Sequence, residues 1–436
     1  MSRFRRGAMR RIGASCLVLT VAGVVAATGS AAAGARAPRS ATAHPAGSEC
    51  PNTGVSAPRA PLNPLALRRA PGGNPLRGAS FFVDGPSHGA AAGQMARLLG
   101  IDANVPVGNY LPSFRDSVSF QSFLRNTVNR RIRTVAPGVQ RNIRLLQKIA
   151  VQPEAQRIST ASTNHGFQRG SPAGIASFTN KLFCDNFTAD PGTVPIISTY
   201  FMHSVLGGCA TNQQINSYMP LFRRRINAMV GATGNHRVVY LLELDAIGSS
   251  SCMARRGSLG SWERMLRFEV DRMATLPHAV VYVEGGYSDS NTPAYAARML
   301  NRVDVRRIRG FFTNDTHLQW TIHEVHYCQA ISRMTGGSHC VINTAQNGNG
   351  PLLNPHPGTQ GIEDNCNPPG RALGPRPTTN TGFAHVDAFL WTHVPGNSAG
   401  HCRGGPANGF FFPALAIGMA ARANGRLGPG FPSRPY

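Results

Sequence analysis

The 436-residue chain is poor in acidic residues and nearly free of lysine. It has 44 lysines and arginines against 20 aspartates and glutamates, and the formal net charge is +24. Lys148 and Lys181 are its only lysines, and the arginines are spread along the whole chain. No stretch combines clustered basic residues with interleaved aromatics, so we predict no nucleic-acid partner.

The common metal-binding patterns are also missing. No two cysteines form a C-x-x-C pair, which argues against structural zinc. His323-Glu324-Val325-His326 has its histidines at i and i+3, whereas the zinc pattern H-E-x-x-H needs i and i+4 on one helical face. We interpret this stretch as a solvated helix face, and we predict neither a metal nor a cofactor.

Long hydrophobic runs are absent except near the N-terminus. Ile12 to Ala27 is apolar, follows several arginines and precedes Ala31-Ala32-Ala33, as in a secretory signal. The run is short for a membrane span and no second anchor follows it. We therefore predict a signal peptide at residues 1–33, a secreted protein and no membrane attachment. Residues 34–72, rich in Pro, Ala and Gly, are predicted to be a disordered leader, and residues 73–430 the folded domain.

Cysteine usage agrees with export. Of nine cysteines, Cys16 lies within the predicted signal, which leaves eight. An even number in an exported chain indicates disulfides.

Short apolar runs alternate with helical patterns from Asn74 onward, as in an α/β barrel. Predicted helices include Ser261–Met273 and Pro293–Asn301. The Arg-rich segment 102–150, with a helix at Gln140–Ile149, is interpreted as an insertion. The predicted strands are Ser80–Asp84, Arg157–Thr160, Val194–Tyr200, Val238–Asp245, Ala279–Glu284, Ile308–Asn314, His339–Thr344 and Val386–Trp391.

The strand Val238–Asp245 is the centre of this prediction. Its first five residues are apolar, as in a parallel strand buried on both faces, and it ends on Glu243 and Asp245. Because chemistry in parallel barrels sits where the strands end, Asp245 is a candidate acid held protonated by a dry environment. The alternative is that Asp245 caps the next segment or pairs with an arginine.

Several motifs resemble glycoside hydrolase family 6, the family of cellobiohydrolases and endoglucanases. Residues 342–351 read I-N-T-A-Q-N-G-N-G-P, similar to the family's I-D-T-S-R-N-G-N-G-P, and residues 366–374 read C-N-P-P-G-R-A-L-G. Residues 243–246 stand where the family has E-P-D-A or E-P-D-S. The likeness covers about residues 73 to 425, and it implies a distorted, partly open (β/α) barrel.

The resemblance implies inverting hydrolysis of a β-1,4-glucan with Asp245 as the proton donor. Inversion needs two carboxyl groups about 6.5–9.5 Å apart, one as acid and one as base. Disulfides would join Cys209 to Cys252 and Cys366 to Cys402, leaving Cys328–Cys340 and Cys50–Cys184 by elimination. Possible supporting residues are Tyr200, Glu243 and Glu284. Candidate substrate-binding residues are Phe82, Asp84, Tyr287, Asn314, His317, Asn365, His393 and Asn397.

This chain departs from the family pattern mainly at the positions of the family's catalytic and sugar-contacting residues. Ala399 replaces the Asp that is the family's candidate base, Asn397 replaces a Glu, and His393 replaces a sugar-contacting Lys. Leu206-Gly207-Gly208 stands where the family has a carboxylate before Cys209.

The aromatic platforms for sugar rings change as well. At residues 284–290 the sequence E-G-G-Y-S-D-S has lost the family's His and Trp, and Asn365 stands in place of another Trp. Indole faces bind sugar rings by stacking, so these losses weaken the expected binding of ordinary cellulose.

Two functions stay open at this point. The first is a secreted glycosidase with an altered base, in which Glu284, Asp289 or Asp315 activates the water. The second is a barrel that binds a polysaccharide without cutting it. In both cases we expect a polysaccharide partner and a monomer.

Overall fold

The computed structural model describes residues 73–83, 86–101, 123–159, 170–352 and 366–434. Its strands are β1 (Gln156–Ser159), β2 (Ile196–Tyr200), β3 (Val238–Leu242), β4 (Ala279–Glu284), β5 (Gly310–Thr313), β6 (His339–Asn343) and β7 (Val386–Leu390). Its main helices are α1 (Pro86–Leu98), α2 (Pro137–Ala150), α3 (Pro172–Ala189), α4 (Met202–Leu206), α5 (Asn212–Thr233), α6 (Ser250–Arg255), α7 (Leu259–Met273), α8 (Pro293–Arg302), α9 (Thr321–Met334) and α10 (Pro413–Ala421).

Helix starts follow from local sequence. Thr211 caps α5 by accepting from the Gln214 N–H, and the Gln214 side chain accepts from the Thr211 N–H in return. At α8, Thr292 is the cap and Pro293 occupies the first turn, where a missing N–H costs nothing.

The strands form one sheet in the order β1 to β7, and every neighbouring pair is parallel. The sheet curls so far that its two edges come close together. The Ala155 N–H, just before β1, donates to the Trp391 carbonyl, just after β7, at 2.9 Å. A curled parallel sheet with helices outside it is an α/β barrel, as the sequence predicted.

Strand β3 is buried on both faces. Val238, Tyr240 and Leu242 pack in the layer between sheet and helices. Val239 and Leu241 pack in the second cluster, which contains alternate residues of several strands. The continuous apolar run of the sequence is therefore explained by two dry faces.

Most predicted strand limits lie within two residues of those in the structure, and two predictions are wrong by more. Strand β3 ends at Leu242 rather than Asp245, because Glu243 and Asp245 have positive φ angles that end the extended conformation. The segment predicted as a strand from Ser80 forms only an isolated parallel bridge between Phe81 and Val194 within the described residues.

The described part of residues 102–150, the segment interpreted as an insertion, packs in the core. The buried side chains of α2, such as Ile143 and Leu146, share one core cluster with α1, α10 and Trp391. This segment thus contributes to the core of the domain. Residues 102–122, together with the predicted signal (1–33) and leader (34–72), lie outside the described residues.

Three disulfides hold the loops and helices. Cys209–Cys252 and Cys366–Cys402 form as the resemblance implied, and Cys328–Cys340 forms as well. Cys184 is also disulfide-bonded, and its predicted partner Cys50 lies outside the described residues.

A buried ion pair stabilises the amino-terminal ends of the strands. Arg309 donates to both oxygens of Asp387, at 2.6 and 2.9 Å, and His339 and Tyr282 also contact that carboxylate. Burial raises the pKa of Asp387, but the bonds from Arg309 and His339 outweigh it, so the pKa is lowered overall. In the part of the chain that the structure describes, no helix is long and apolar enough to span a membrane.

Candidate active site

The chain turns sharply at the carboxyl end of β3. Glu243 has a φ of 53° and Asp245 a φ of 64°, and Asn314, just past β5, has a φ of 65°. A left-handed φ is unfavourable for residues other than glycine and is retained where the surrounding structure enforces it, often at functional sites. This rim of the barrel, at the ends of β1 to β5 and β7, is therefore the candidate site.

The Asp245 side chain is half-buried and is held by two hydroxyl groups. The Tyr287 hydroxyl donates to Oδ1 of Asp245, and Thr316 Oγ1 lies 3.5 Å from the same oxygen. Thr316 also donates to the Tyr287 hydroxyl at 3.0 Å. Because the side-chain bonds all end on Oδ1, Oδ2 is the oxygen left to face a substrate.

Tyr287 is itself fixed by a histidine. The ring of His317 stacks on the Tyr287 ring with centroids 3.9 Å apart and an interplanar angle of 2°. Nδ1 of His317 lies 2.7 Å from Oδ1 of Asp289. Both residues were candidates for substrate binding, but one face of the Tyr287 ring is covered by His317 and the side chain is buried.

Tyr200, the last residue of β2, lies on the same rim. Burial raises the pKa of its hydroxyl to about 12, and the negative charge of Asp245 adds to this effect. The Arg157 guanidinium lies over the Tyr200 ring, 5.9 Å from its centroid. Tyr200 is therefore a neutral hydroxyl at the site, as expected for a supporting residue.

Glu284 anchors the chain that follows Asp245. Its Oε2 accepts the N–H groups of Ile247 at 2.6 Å and Gly248 at 3.0 Å, and its Oε1 accepts that of Gly286. Burial, and after it the charge of Asp245, raises the pKa of Glu284 to about 8. With both oxygens occupied, Glu284 fixes the loop and is poorly placed to activate water.

Glu243 belongs to a buried carboxyl pair beneath the rim. It accepts the N–H groups of Phe201 and Met202, which fixes the start of the β2–α4 connection. Its neighbour Glu269, on α7, accepts from the Thr199 hydroxyl at 3.0 Å. Burial raises the pKa of both carboxyls, and the charge of Glu243 raises that of Glu269 still more, so Glu269 carries a proton that it can donate to Glu243.

A second carboxylate, Asp315, follows β5. Its Oδ2 accepts from Nη2 of Arg157 at 2.7 Å and lies 4.0 Å from Nδ1 of His393. Burial lowers the pKa of His393 to about 4, so His393 is a neutral imidazole at pH 7. Arg157 is then the cation that balances Asp315.

The loop of residues 395–400 carries no acid. Ala399 is exposed, and Asn397 is half-buried beside Phe411, with which it forms a bridge. Residues 396–400 read G-x-S-x-G, but the Ser398 hydroxyl is buried within 2.8 Å of the carbonyl oxygens of Gly400 and Pro406. This serine sits in a loop rather than on a strand-to-helix turn, so it is not a nucleophile elbow.

Two predicted substrate contacts are not available to a sugar. Phe82 is 3% exposed and packs in the core, and Asn314 is 0% exposed. The Asn314 amide donates to the carbonyls of Gln319 and Asn343, so it fixes the rim loops. Asp84 and Asn365 lie outside the described residues.

The helix stretch His323–His326 is only partly solvated. Both histidines are exposed, but Glu324 is 0% exposed and accepts the Ser288 N–H at 3.2 Å. Burial raises the pKa of Glu324 to about 7. The prediction of a solvated face is therefore wrong for Glu324, which supports the β4–α8 loop.

Asp245, Tyr200, Tyr287, His317 and His393, all candidates from the sequence, lie at one rim of the barrel. Sequence reasoning missed the roles of Arg157, Thr316, Glu269 and Glu324. An arginine within the short predicted strand Arg157–Thr160 was the one available signal, because the partners of the others lie far away in the chain. No group of three or more potential ligand side chains in the described ranges could hold a metal ion.

Comparison with known proteins decides the family. The model of the glycosyl hydrolases family 6 matches residues 202–423, half of the chain. The chain belongs to glycosyl hydrolases family 6.

Relatives in this family are endoglucanases and cellobiohydrolases. The chain is 30% identical to endoglucanase A of Cellulomonas fimi over 282 residues, which are 64% of this chain and 56% of that protein. It is 30% identical to endoglucanase 1 of Streptomyces sp. (strain KSM-9) over 293 residues, which are 65% and 73% of the two chains. The chain thus spans little more than half the length of the Cellulomonas relative.

Solved structures of family 6 members share the fold. The endoglucanase Cel6 from Mycobacterium tuberculosis, in complex with a thio-cellobioside, superposes with a TM-score of 0.58 at 29% identity, covering 80% of this chain and 99% of that one. Endoglucanase Cel6B from Humicola insolens gives 0.57 at 16% identity with the same coverage, and supports the fold alone. The distorted α/β barrel implied by the sequence motifs is confirmed.

Proposed function

We propose that this protein is a secreted glycosidase that hydrolyses a β-1,4-glucan, or a related polysaccharide, with inversion and with Asp245 as the proton donor. The observation that carries the proposal is the position of Asp245. It follows the most deeply buried strand of a family 6 barrel, and Tyr287 and Thr316 hold one of its oxygens. The other oxygen can then protonate the leaving glycosidic oxygen.

The rim supplies groups suited to this chemistry. Tyr200 is a neutral hydroxyl beside Asp245. Asp315 is a second carboxylate and follows β5, which is separated from β3 in the sheet by β4. Inversion needs one carboxyl group as proton donor and a second as base, and Asp245 and Asp315 would supply them. The polysaccharide is bound as substrate by a single copy of the chain.

Export is supported by the disulfides. Six described cysteines form three bonds, which persist in oxidising compartments. The predicted signal at residues 1–33 would direct the chain there.

A second function is favoured by one observation. Ala399 is exposed where the family's candidate base stands, and an alanine accepts no proton. A barrel with an acid but no base would bind a polysaccharide without cutting it.

The test is hydrolysis of a panel of β-glucans and cell-wall polymers by the parent protein and by Asp245→Asn. We expect the parent to release reducing ends, with the α-anomer formed first in a proton NMR time course. Asp245→Asn should lose 100-fold or more, since a positioned acid contributes about 10²–10⁴.

Polymer pull-down separates the two functions. If the parent and Asp245→Asn both sediment with a polymer and neither cuts any, the protein is a binder. If the parent cuts and Asp245→Asn cuts equally well, the protein is a glycosidase in which Asp245 is not the donor.

A further inference from the structure

Asp315 is a buried carboxylate in which one oxygen has a hydrogen-bond partner and the other has none among the described residues. Its side chain is 1% exposed, and Nη2 of Arg157 lies 2.7 Å from Oδ2. Oδ1 has no hydrogen-bond partner among the described residues. Because an unpaired buried carboxylate oxygen is unfavourable, its retention calls for an explanation.

The position of Asp315 relates it directly to the proposed donor. The next residue, Thr316, has its hydroxyl 3.5 Å from Asp245 Oδ1 and 3.0 Å from the Tyr287 hydroxyl. Beyond burial, the negative charges of both Asp245 and Asp315 raise the pKa of Tyr200 and of Tyr287. The two carboxylates therefore act on the same two tyrosines at one rim.

The other carboxylates nearby are already engaged. Both oxygens of Glu284 accept backbone N–H groups, and both oxygens of Asp289 lie within 2.9 Å of Nδ1 of His317. A carboxylate whose oxygens are filled by protein donors cannot take a proton from water without breaking those bonds. Asp315 has a lone oxygen for that purpose.

The surroundings of Asp315 fix its orientation. Arg157 contacts Oδ2 and also donates to the Thr392 carbonyl at 3.2 Å and to Ser198 Oγ at 3.4 Å. These contacts come from β2 and from the second residue after β7, so Arg157 is held from both sides. A carboxylate fixed at one oxygen presents the other in a defined direction.

We propose that Asp315 is the general base of this enzyme, taking over the function for which position 399 has no acid. The inference rests on the proposed function. Oδ1 accepts a proton from the attacking water, whose oxygen forms a bond to the anomeric carbon. The bond from that carbon to the glycosidic oxygen breaks, the electron pair stays on the oxygen, and Asp245 Oδ2 donates its proton there. Both aspartates return to their starting states by exchanging one proton with solvent.

The experiment compares Asp315→Ala, Asp315→Asn and the parent on the best glucan substrate and on an activated aryl cellobioside. We expect both variants to lose 100-fold or more on both substrates, because the water is no longer activated. Asp245→Ala should instead keep much of its rate on the aryl substrate, whose leaving group needs no proton.

Chemical rescue identifies a base and not merely a structural residue. Azide attacks without giving up a proton, so adding sodium azide to Asp315→Ala should restore the rate on the aryl substrate at least tenfold and yield the α-glycosyl azide by NMR. The matched control is Asp271→Ala, which removes an aspartate paired with Arg307 at the surface and should keep the parent rate.

Failure of the inference and failure of the proposed function give different results. If the parent cuts glucan with inversion and a folded Asp315→Ala retains its rate, or gains nothing from azide, Asp315 is not the base and the glycosidase stands. If the parent cuts no polymer, both proposals fail together. An Asp315→Asn protein that does not fold would assign the carboxylate a structural role and overturn the inference.

Discussion

The Tyr287 hydroxyl donates a hydrogen bond to Oδ1 of Asp245, joining residues 42 positions apart in the chain. Tyr287 comes from the loop after β4, and Asp245 from the turn after β3. The bond engages Oδ1 of Asp245, so Oδ2 is the oxygen that we expect to face the substrate. It also makes Tyr287 a positioning residue rather than a platform for a sugar ring.

Replacing Tyr287 by Phe should lower kcat about tenfold and leave KM nearly unchanged. An ordinary hydrogen bond is worth about 0.5–1.5 kcal/mol, and 1.4 kcal/mol corresponds to a factor of ten. The Phe ring keeps its stacking on His317, so the loop stays in place. Steady-state kinetics on the best glucan measure the effect.

The control for that change is Tyr240→Phe, which removes a buried hydroxyl bonded to Thr233 at 2.6 Å, away from the rim. It should lower the melting temperature without changing kcat. An equal loss of kcat in the two variants would contradict the role given to Tyr287.

Gly248→Ala should disturb the same contact from the other side. A Cβ at Gly248 would lie 2.6 Å from Cε2 of Tyr287, too close for two carbon atoms, so the ring must move and carry its hydroxyl from Asp245. We expect a loss of kcat comparable to that of Tyr287→Phe. Gly231→Ala, where a Cβ meets nothing within 4 Å inside α5, is the matched control and should keep full activity.

The buried pair of Glu243 and Glu269 makes stability depend on pH. Burial raises the pKa of both carboxyls above the ordinary value of 4.5. The folded state then holds protons that the unfolded state loses above about pH 4.5. The free energy of unfolding should therefore fall as pH rises from 5 to 8, by up to about 1.4 kcal/mol per pH unit for each such proton.

Glu269→Gln should flatten this dependence, because the amide stays neutral and can still donate to Glu243. The variant should be more stable than the parent at pH 8 and similar to it at pH 5, as measured by denaturant unfolding. Glu263→Gln, on the same helix but paired with Arg302, should leave the slope unchanged. An undiminished slope in Glu269→Gln would show that other groups cause it.

Asp387→Ala should lower the free energy of unfolding by about 3–5 kcal/mol, because it leaves the buried Arg309 charge without its partner. Asp271→Ala breaks a surface pair with Arg307 and should cost at most about 1 kcal/mol. Urea unfolding of both variants at pH 7 measures the difference. Similar losses in the two would contradict the network assigned to the amino-terminal end of the barrel.

Patterns local in sequence determined the barrel and its centre. The sequence predicted a strand buried on both faces from the apolar run Val238 to Leu242, because such a strand has an apolar side chain at every position. The two acids after the run supplied the catalytic candidate. The resemblance to glycoside hydrolase family 6 likewise implied Cys209–Cys252 and Cys366–Cys402, and both disulfides form.

Only the tertiary structure decided which polar groups meet. Arg157 and Asp315 are 158 residues apart, and Glu243 and Glu269 are brought together from a strand end and a helix. Such contacts depend on how the sheet curls and on left-handed turns after the strands, and neither leaves a periodic signal in sequence. The proposed acid could be found in the sequence because it follows a buried apolar strand, whereas the proposed base could be recognised only from what its two oxygens contact.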